Sequence, residues 1–114
     1  MQLKLIALIF MFAGVAHAAP SSSPEMVEVG RKSFATNCAV CHGDKGLGDG
    51  VAAAGLNPKP RNLAKDPFKN GASKDKIFET ISKGLNGTTM RGFPELSEKE
   101  RWSLVYFVLS LRGK

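Results

Sequence analysis

The chain has 114 residues, with 16 lysines and arginines against 10 acidic residues and a formal net charge of +6. That length limits it to one small domain. The basic residues are spread along the chain and form no block, which argues against nucleic acid as a partner.

The N-terminal 18 residues read as a secretory signal peptide: Lys4 supplies the positive start, Leu5 to Val15 is an apolar run without charge, and Ala16-His17-Ala18 is a small-x-small cleavage site. The run of 11 residues falls short of the roughly twenty that span a membrane; an uncleaved anchor is the alternative. Cleavage after Ala18 leaves 114 − 18 = 96 residues with no transmembrane segment, and brings the charge near +5 because Lys4 is the only charge removed. It also removes His17, Met1 and Met11, so that His42 is the only histidine left, and Met26 and Met90 the only methionines. Export delivers the chain to an oxidising compartment, in a bacterium the periplasm.

Residues 19–24 are small, polar and proline-bearing, a flexible lead-in to a domain over 25–113. Ser23-Pro24-Glu25 starts a first helix with a capping hydroxyl, a proline at the first position and an acid in the first turn. Met26, Gly30, Phe34 and Cys38 form one stripe of it, and it is expected to continue to a stop near Gly43. Gly30 costs a helix interior about 1 kcal/mol relative to alanine, which predicts the close approach of another helix. The glycine-rich run Asp44–Gly50 has no preceding strand and no Lys-Ser/Thr after its glycines, so it is no nucleotide loop; it is expected to wrap a cofactor edge. Val51–Gly55 adds a short helical turn. Asn57–Asn62 is extended, since each proline disfavours helix in the residue before it. Ser73 caps a helix running to about Lys83, with Ile77, Phe78 and Ile81 on its apolar face and Gly84 as its stop. A polar loop, Asn86–Met90, follows. Ser97-Glu98-Lys99-Glu100 is a capping box opening the last helix, Arg101 to about Arg112. That helix is so apolar that it must be buried on more than one side. No strand pattern, repeat or heptad is present, so the fold class is all-α with three to four helices.

Cys38-Ala39-Val40-Cys41-His42 is the pattern of covalent c-type haem attachment. Thiols three residues apart on a helix share a face and reach the two vinyl groups of one porphyrin edge, and the adjacent His42 can ligate the iron. Other readings fit less well. A thioredoxin-like pair sits near a βαβ pattern, a zinc site takes four ligands, and a disulfide here would close a tiny loop. For the opposite face of the ring, Met26 shares an element with His42, whereas Met90 lies in a distant polar loop free to approach.

In its ordered features the chain resembles the small monohaem class I-type bacterial cytochromes c over about Glu25 to Arg112. These features are Gly30 and Phe34 before Cys38-x-x-Cys41-His42-Gly43, then Gly46-x-Gly48-Asp49-Gly50, Pro58-x-Pro60-Arg61-Asn62-Leu63, Met90 in a loop before Ser97–Trp102, and the pair Tyr106-Phe107. The resemblance implies one covalent haem c on Cys38 and Cys41, with His42 as proximal and Met90 as distal iron ligand. It also implies first and last helices crossing at Gly30 with Phe34 and Phe107 packed there. A backbone carbonyl in the Pro58–Pro60 stretch is expected to accept from the second nitrogen of His42, and Arg61, Trp102 and Asn86 are candidates for a haem propionate. In similar proteins a proline often follows the ligand methionine; here Arg91 stands in that place, which bears on the stiffness of the loop.

With both axial positions filled, the expected function is that of a non-enzymatic one-electron carrier between larger redox proteins, acting as a monomer. Its positive charge would steer it to partners with acidic docking surfaces. The rivals are an accessory haem subunit of an oxidoreductase complex and a ligand-binding or peroxidase-like haem protein. The haem would also supply core that a chain this short lacks, so the apoprotein is expected to fold poorly.

Overall fold

The structure is a computed structural model that describes residues 2, 4–9 and 18–113. Most of the apolar run and cleavage motif of the expected signal peptide, residues 10–17, lies outside the described residues. Four α-helices follow in order, α1 (Pro24–Asn37), α2 (Ala39–His42), α3 (Lys74–Lys83) and α4 (Glu98–Leu111), with a 3-10 turn at Ala53–Gly55. Among the described residues there is no strand, only a single antiparallel bridge between Gly84 and Arg91.

Local chemistry sets the helix starts. Ser23, Ser73 and Ser97 each accept a hydrogen bond from the backbone N–H three residues on, and Pro24 opens α1, so each helix begins with an orphan donor satisfied. The last helix starts three residues earlier than expected, since the residues after the cap serine are themselves its first turn. Its capping box is half formed: the Ser97 hydroxyl accepts from the Glu100 N–H at 3.1 Å. The Glu100 carboxylate turns instead to α1, accepting from the Ser33 hydroxyl at 3.2 Å.

The core is built where α1 crosses α4. Seven consecutive residues of α4, Trp102 to Val108, are buried, as a helix packed on two sides requires. Gly30 lies against the Ser103 backbone: a Cβ on Gly30 would stand 2.6 Å from the Ser103 carbonyl carbon and 2.8 Å from Phe107 Cβ. Phe34 packs on Phe107 with ring centroids 5.0 Å apart. The other side of α4 meets α3, where Trp102 stacks on Phe78 at 4.2 Å. At the end of α4, the Arg112 guanidinium donates to the carbonyls of Leu63 and Asp66 and lies over the Phe68 ring. It thereby ties the segment after the extended stretch to the core. The lead-in is held at two points, since Ala19 packs against the core and the Pro20 carbonyl accepts from the Tyr106 hydroxyl.

The first helix is not continuous through the cysteine motif as expected. It ends at Asn37, and Cys38 leaves helical geometry at φ −121°, ψ −32° before the four-residue α2 begins. The Asn37 side-chain amide donates to both the carbonyl and the hydroxyl of Ser33, a local bond that competes with the helical ladder. The glycine-rich run also differs from expectation. It packs against α2 and lines no cofactor cavity. Gly48, Gly50 and Ala52 donate in turn to the carbonyls of His42, Cys41 and Val40 at 2.8, 3.1 and 2.9 Å. Every second residue of the loop thus satisfies one orphan carbonyl of a helix too short to satisfy its own.

Candidate haem site

The two cysteines and His42 open onto a cavity of about 410 Å³ whose wall also includes Leu56, Pro58, Pro60, Leu85, Met90 and Phe93. A second, smaller apolar space shares Cys38, His42, Arg61, Lys69, Leu85 and Met90 with the first and reaches back to Phe34, Leu63, Ile77, Ile81, Leu104 and Val108. Together they make one crevice that runs from the surface into the core.

His42 is oriented by a single bond. Its Nδ1 lies 3.1 Å from the carbonyl oxygen of Arg61. A carbonyl only accepts, so Nδ1 carries the proton and Nε2 keeps its lone pair, the form a metal requires. The expected partner was a carbonyl in the Pro58–Pro60 stretch. The acceptor lies one residue beyond that stretch, at Arg61, while the Pro60 carbonyl faces Gly48, 2.7 Å from where a Cβ on Gly48 would be. Burial pushes the imidazole below its usual range, against the upward pull of the Arg61 carbonyl, so the ring is held neutral. Burial, with the neighbouring Cys41 thiol, pushes the Cys38 thiol up to about 12. Neither thiol is in a disulfide. Among the described residues no three His, Cys, Asp or Glu side chains are grouped to hold a metal ion.

Met90 lines both parts of the crevice. Its loop folds back on the end of α3. Gly84 caps α3 at φ 81°, and a side chain there would meet the Met90 carbonyl oxygen at 2.6 Å, so position 84 requires glycine on both counts. Met26 lies on α1 and lines neither space. Of the residues suggested for a propionate, Arg61 lines the crevice, while Trp102 and Asn86 do not. Trp102 is committed to the core against Phe78. The Asn86 carbonyl accepts from Lys69 at 2.7 Å. Lys69 and Thr88, both on the crevice wall, carry no motif and are recruited only by the fold.

The donor set suits a covalent haem. Two thiols and an imidazole with a free lone pair stand at the mouth of an apolar crevice, and a thioether lines the same crevice.

Comparison with known proteins leads to the same place. The cytochrome c family model matches residues 27–112. The chain is 32% identical over 96 residues to the cbb3-type cytochrome c oxidase subunit FixP of Azorhizobium caulinodans, covering 84% of this chain and 30% of that protein. It is 33% identical over 98 residues to subunit CcoP of Rubrivivax gelatinosus, covering 82% and 28%. Among solved structures, a chain of the reducing HAO-like protein complex of Kuenenia stuttgartiensis superposes with a TM-score of 0.77 at 32% identity, covering 84% of this chain and 48% of that one. The chain therefore belongs to the cytochrome c family, with its all-α fold and a covalently bound haem c. It spans under a third of the length of these curated relatives and about half of the solved chain.

Proposed function

We propose that this chain is an exported one-electron carrier of the periplasm. Its haem is joined to Cys38 and Cys41 and ligated by His42 and Met90, and it passes electrons between larger redox proteins. The observation that carries this reading is that His42, with Nδ1 tied to Arg61, and Met90 line one apolar crevice. When bound, the haem supplies an iron centre that gains or loses a single electron, with a potential raised by histidine–methionine ligation. The chain's own residues do the rest. Cys38 and Cys41 fix the ring edge, Arg61 keeps the His42 tautomer, and Phe34, Ile77, Ile81, Leu104 and Val108 exclude water from the rear of the crevice. With His42 and Met90 both ligating it, such a haem would have no free position for oxygen or peroxide.

Lys59, Arg61, Lys69 and Arg91 stand at the crevice mouth, and this positive rim favours an acidic partner surface. Potentiometric titration of the haem-loaded protein should give one single-electron wave, and the exported form should begin at Ala19. Two or more waves, or a retained leader, would contradict this reading.

A second reading is favoured by the relatives, which are named as subunits of cbb3-type oxidases: a haem domain fixed in an oxidoreductase complex. Purification from the native membrane separates the two. A carrier is released by a salt wash, whereas a fixed subunit stays with its complex.

A further inference from the structure

We propose that Thr88 is a positioning residue, whose hydroxyl holds Met90 toward the crevice in place of the rigidity that a proline after the methionine would give. The inference rests on the reading of Met90 as iron ligand.

Both backbone polar atoms of Met90 are bonded within its own loop. Its carbonyl accepts from the Leu85 N–H at 3.1 Å, beside the bridge between Gly84 and Arg91. Its N–H donates to Thr88 Oγ1 at 3.2 Å, and that hydroxyl in turn donates to the Leu85 carbonyl at 2.8 Å. A single hydroxyl thus joins the two ends of the loop, Leu85 and Met90, and is the acceptor for the Met90 N–H.

The other tethers are placed differently. Lys69 reaches the Asn86 carbonyl at 2.7 Å from across the crevice, but at an exposed site, where water can replace it. The Arg91 guanidinium turns away from the loop, to the Gly92 carbonyl, the Glu95 carboxylate and the face of Phe93. It therefore stiffens the chain after the methionine. Thr88 is half-buried and acts before it.

An oxygen-free side chain at position 88 leaves the Met90 N–H without its acceptor, while the Leu85 carbonyl keeps only the Thr88 backbone N–H at 3.3 Å. The methionine then detaches more readily from the iron, and an external ligand gains access through that detached state. Losing the bond to Met90 and one of the two bonds to the Leu85 carbonyl corresponds to about a tenfold increase in opening.

The test uses the oxidised, haem-loaded protein. The rate of cyanide binding and the red absorption band of the iron–methionine bond are measured for the unaltered chain and for Thr88→Val, Thr88→Ala, Thr88→Ser and Met90→Ala. Thr88→Val should bind cyanide about tenfold faster, with Thr88→Ala alike, while Thr88→Ser keeps the original rate because it retains the hydroxyl. Thr88→Ala carries the test if the valine variant does not fold. Cyanide binding at the original rate in Thr88→Ala, or equally fast in Thr88→Ser, would overturn the role of the hydroxyl. If Met90→Ala keeps the red band, the ligand assignment fails first and the inference with it. If Met90→Ala loses the band and the Thr88 variants match the unaltered chain, only the inference fails.

Discussion

Gly30 of α1 sits directly against the Ser103 carbonyl of α4, so close that a single methyl group at position 30 would overlap the partner backbone. The obstruction is backbone and cannot rotate away. Gly30→Ala should therefore destabilise the haem-loaded protein by about 2–3 kcal/mol through overpacking, despite the roughly 1 kcal/mol that alanine offers a helix interior. Denaturant titration followed by far-UV circular dichroism measures the change. A neutral or stabilising outcome would mean that the helices do not meet here.

The redirected carboxylate of Glu100 gives a second prediction. In a complete capping box it would couple to the start of its own helix; here it bonds Ser33 on α1. A double-mutant cycle of Ser33→Ala with Glu100→Gln should give a coupling of about 1 kcal/mol. Ser97→Ala should cost about 1 kcal/mol through loss of its cap, and add independently to Ser33→Ala. Zero coupling between Ser33 and Glu100 would show that the bond between the helices contributes nothing.

What was legible in the sequence was local. Ser23-Pro24, Ser73 and Ser97 announced three helices because a cap and its donor lie within three residues of each other. Gly30 announced a crossing because nothing else accounts for a glycine on an apolar stripe. The Cys38–His42 spacing announced the haem. What was hidden depends on contacts between distant segments. The Arg61 carbonyl meets His42 from 19 residues along the chain, a partner that local spacing does not mark. The roles of Lys69 and Thr88 appear only once the Met90 loop closes on itself. In the glycine-rich run only Gly50 lies against the backbone of α2, while Gly46 lies against Leu63 and Leu111 and Gly48 against the Pro60 and Arg61 carbonyls.

Two exposed ion pairs contribute to the acid response. Arg31 lowers the Glu28 carboxyl from its usual value by hydrogen bond and charge, and Arg91 does the same for Glu95. A carboxylate depressed in the folded state binds its proton more readily when unfolded. Its stabilisation is therefore present above the unfolded pKa, near 4.5, and lost as pH falls through the folded value. Stability should drop on acidification below about pH 4.5, and the double variant Glu28→Gln/Glu95→Gln should show a shallower drop. High salt should reduce the difference, since both pairs are exposed to solvent. An unchanged acid profile in the double variant would contradict this.

Arg91 stands where a proline often follows the ligand methionine, yet its side chain points outward to Glu95 and Phe93. Arg91→Ala should therefore leave the iron–methionine absorption band intact and the cyanide-binding rate unchanged, in contrast to the faster binding expected at Thr88. Loss of the band in Arg91→Ala would show that the arginine itself holds the loop.

In the proposed site Met90 would close the iron face opposite His42. The direct measurement is the red absorption band of the oxidised, haem-loaded protein, recorded for the unaltered chain and for Met90→Ala. A band is expected in the first and none in the second, with the reduced Met90→Ala protein binding carbon monoxide readily and the unaltered protein resisting it. A band that survives Met90→Ala, or an unaltered protein that lacks the band and binds carbon monoxide at once, would contradict it.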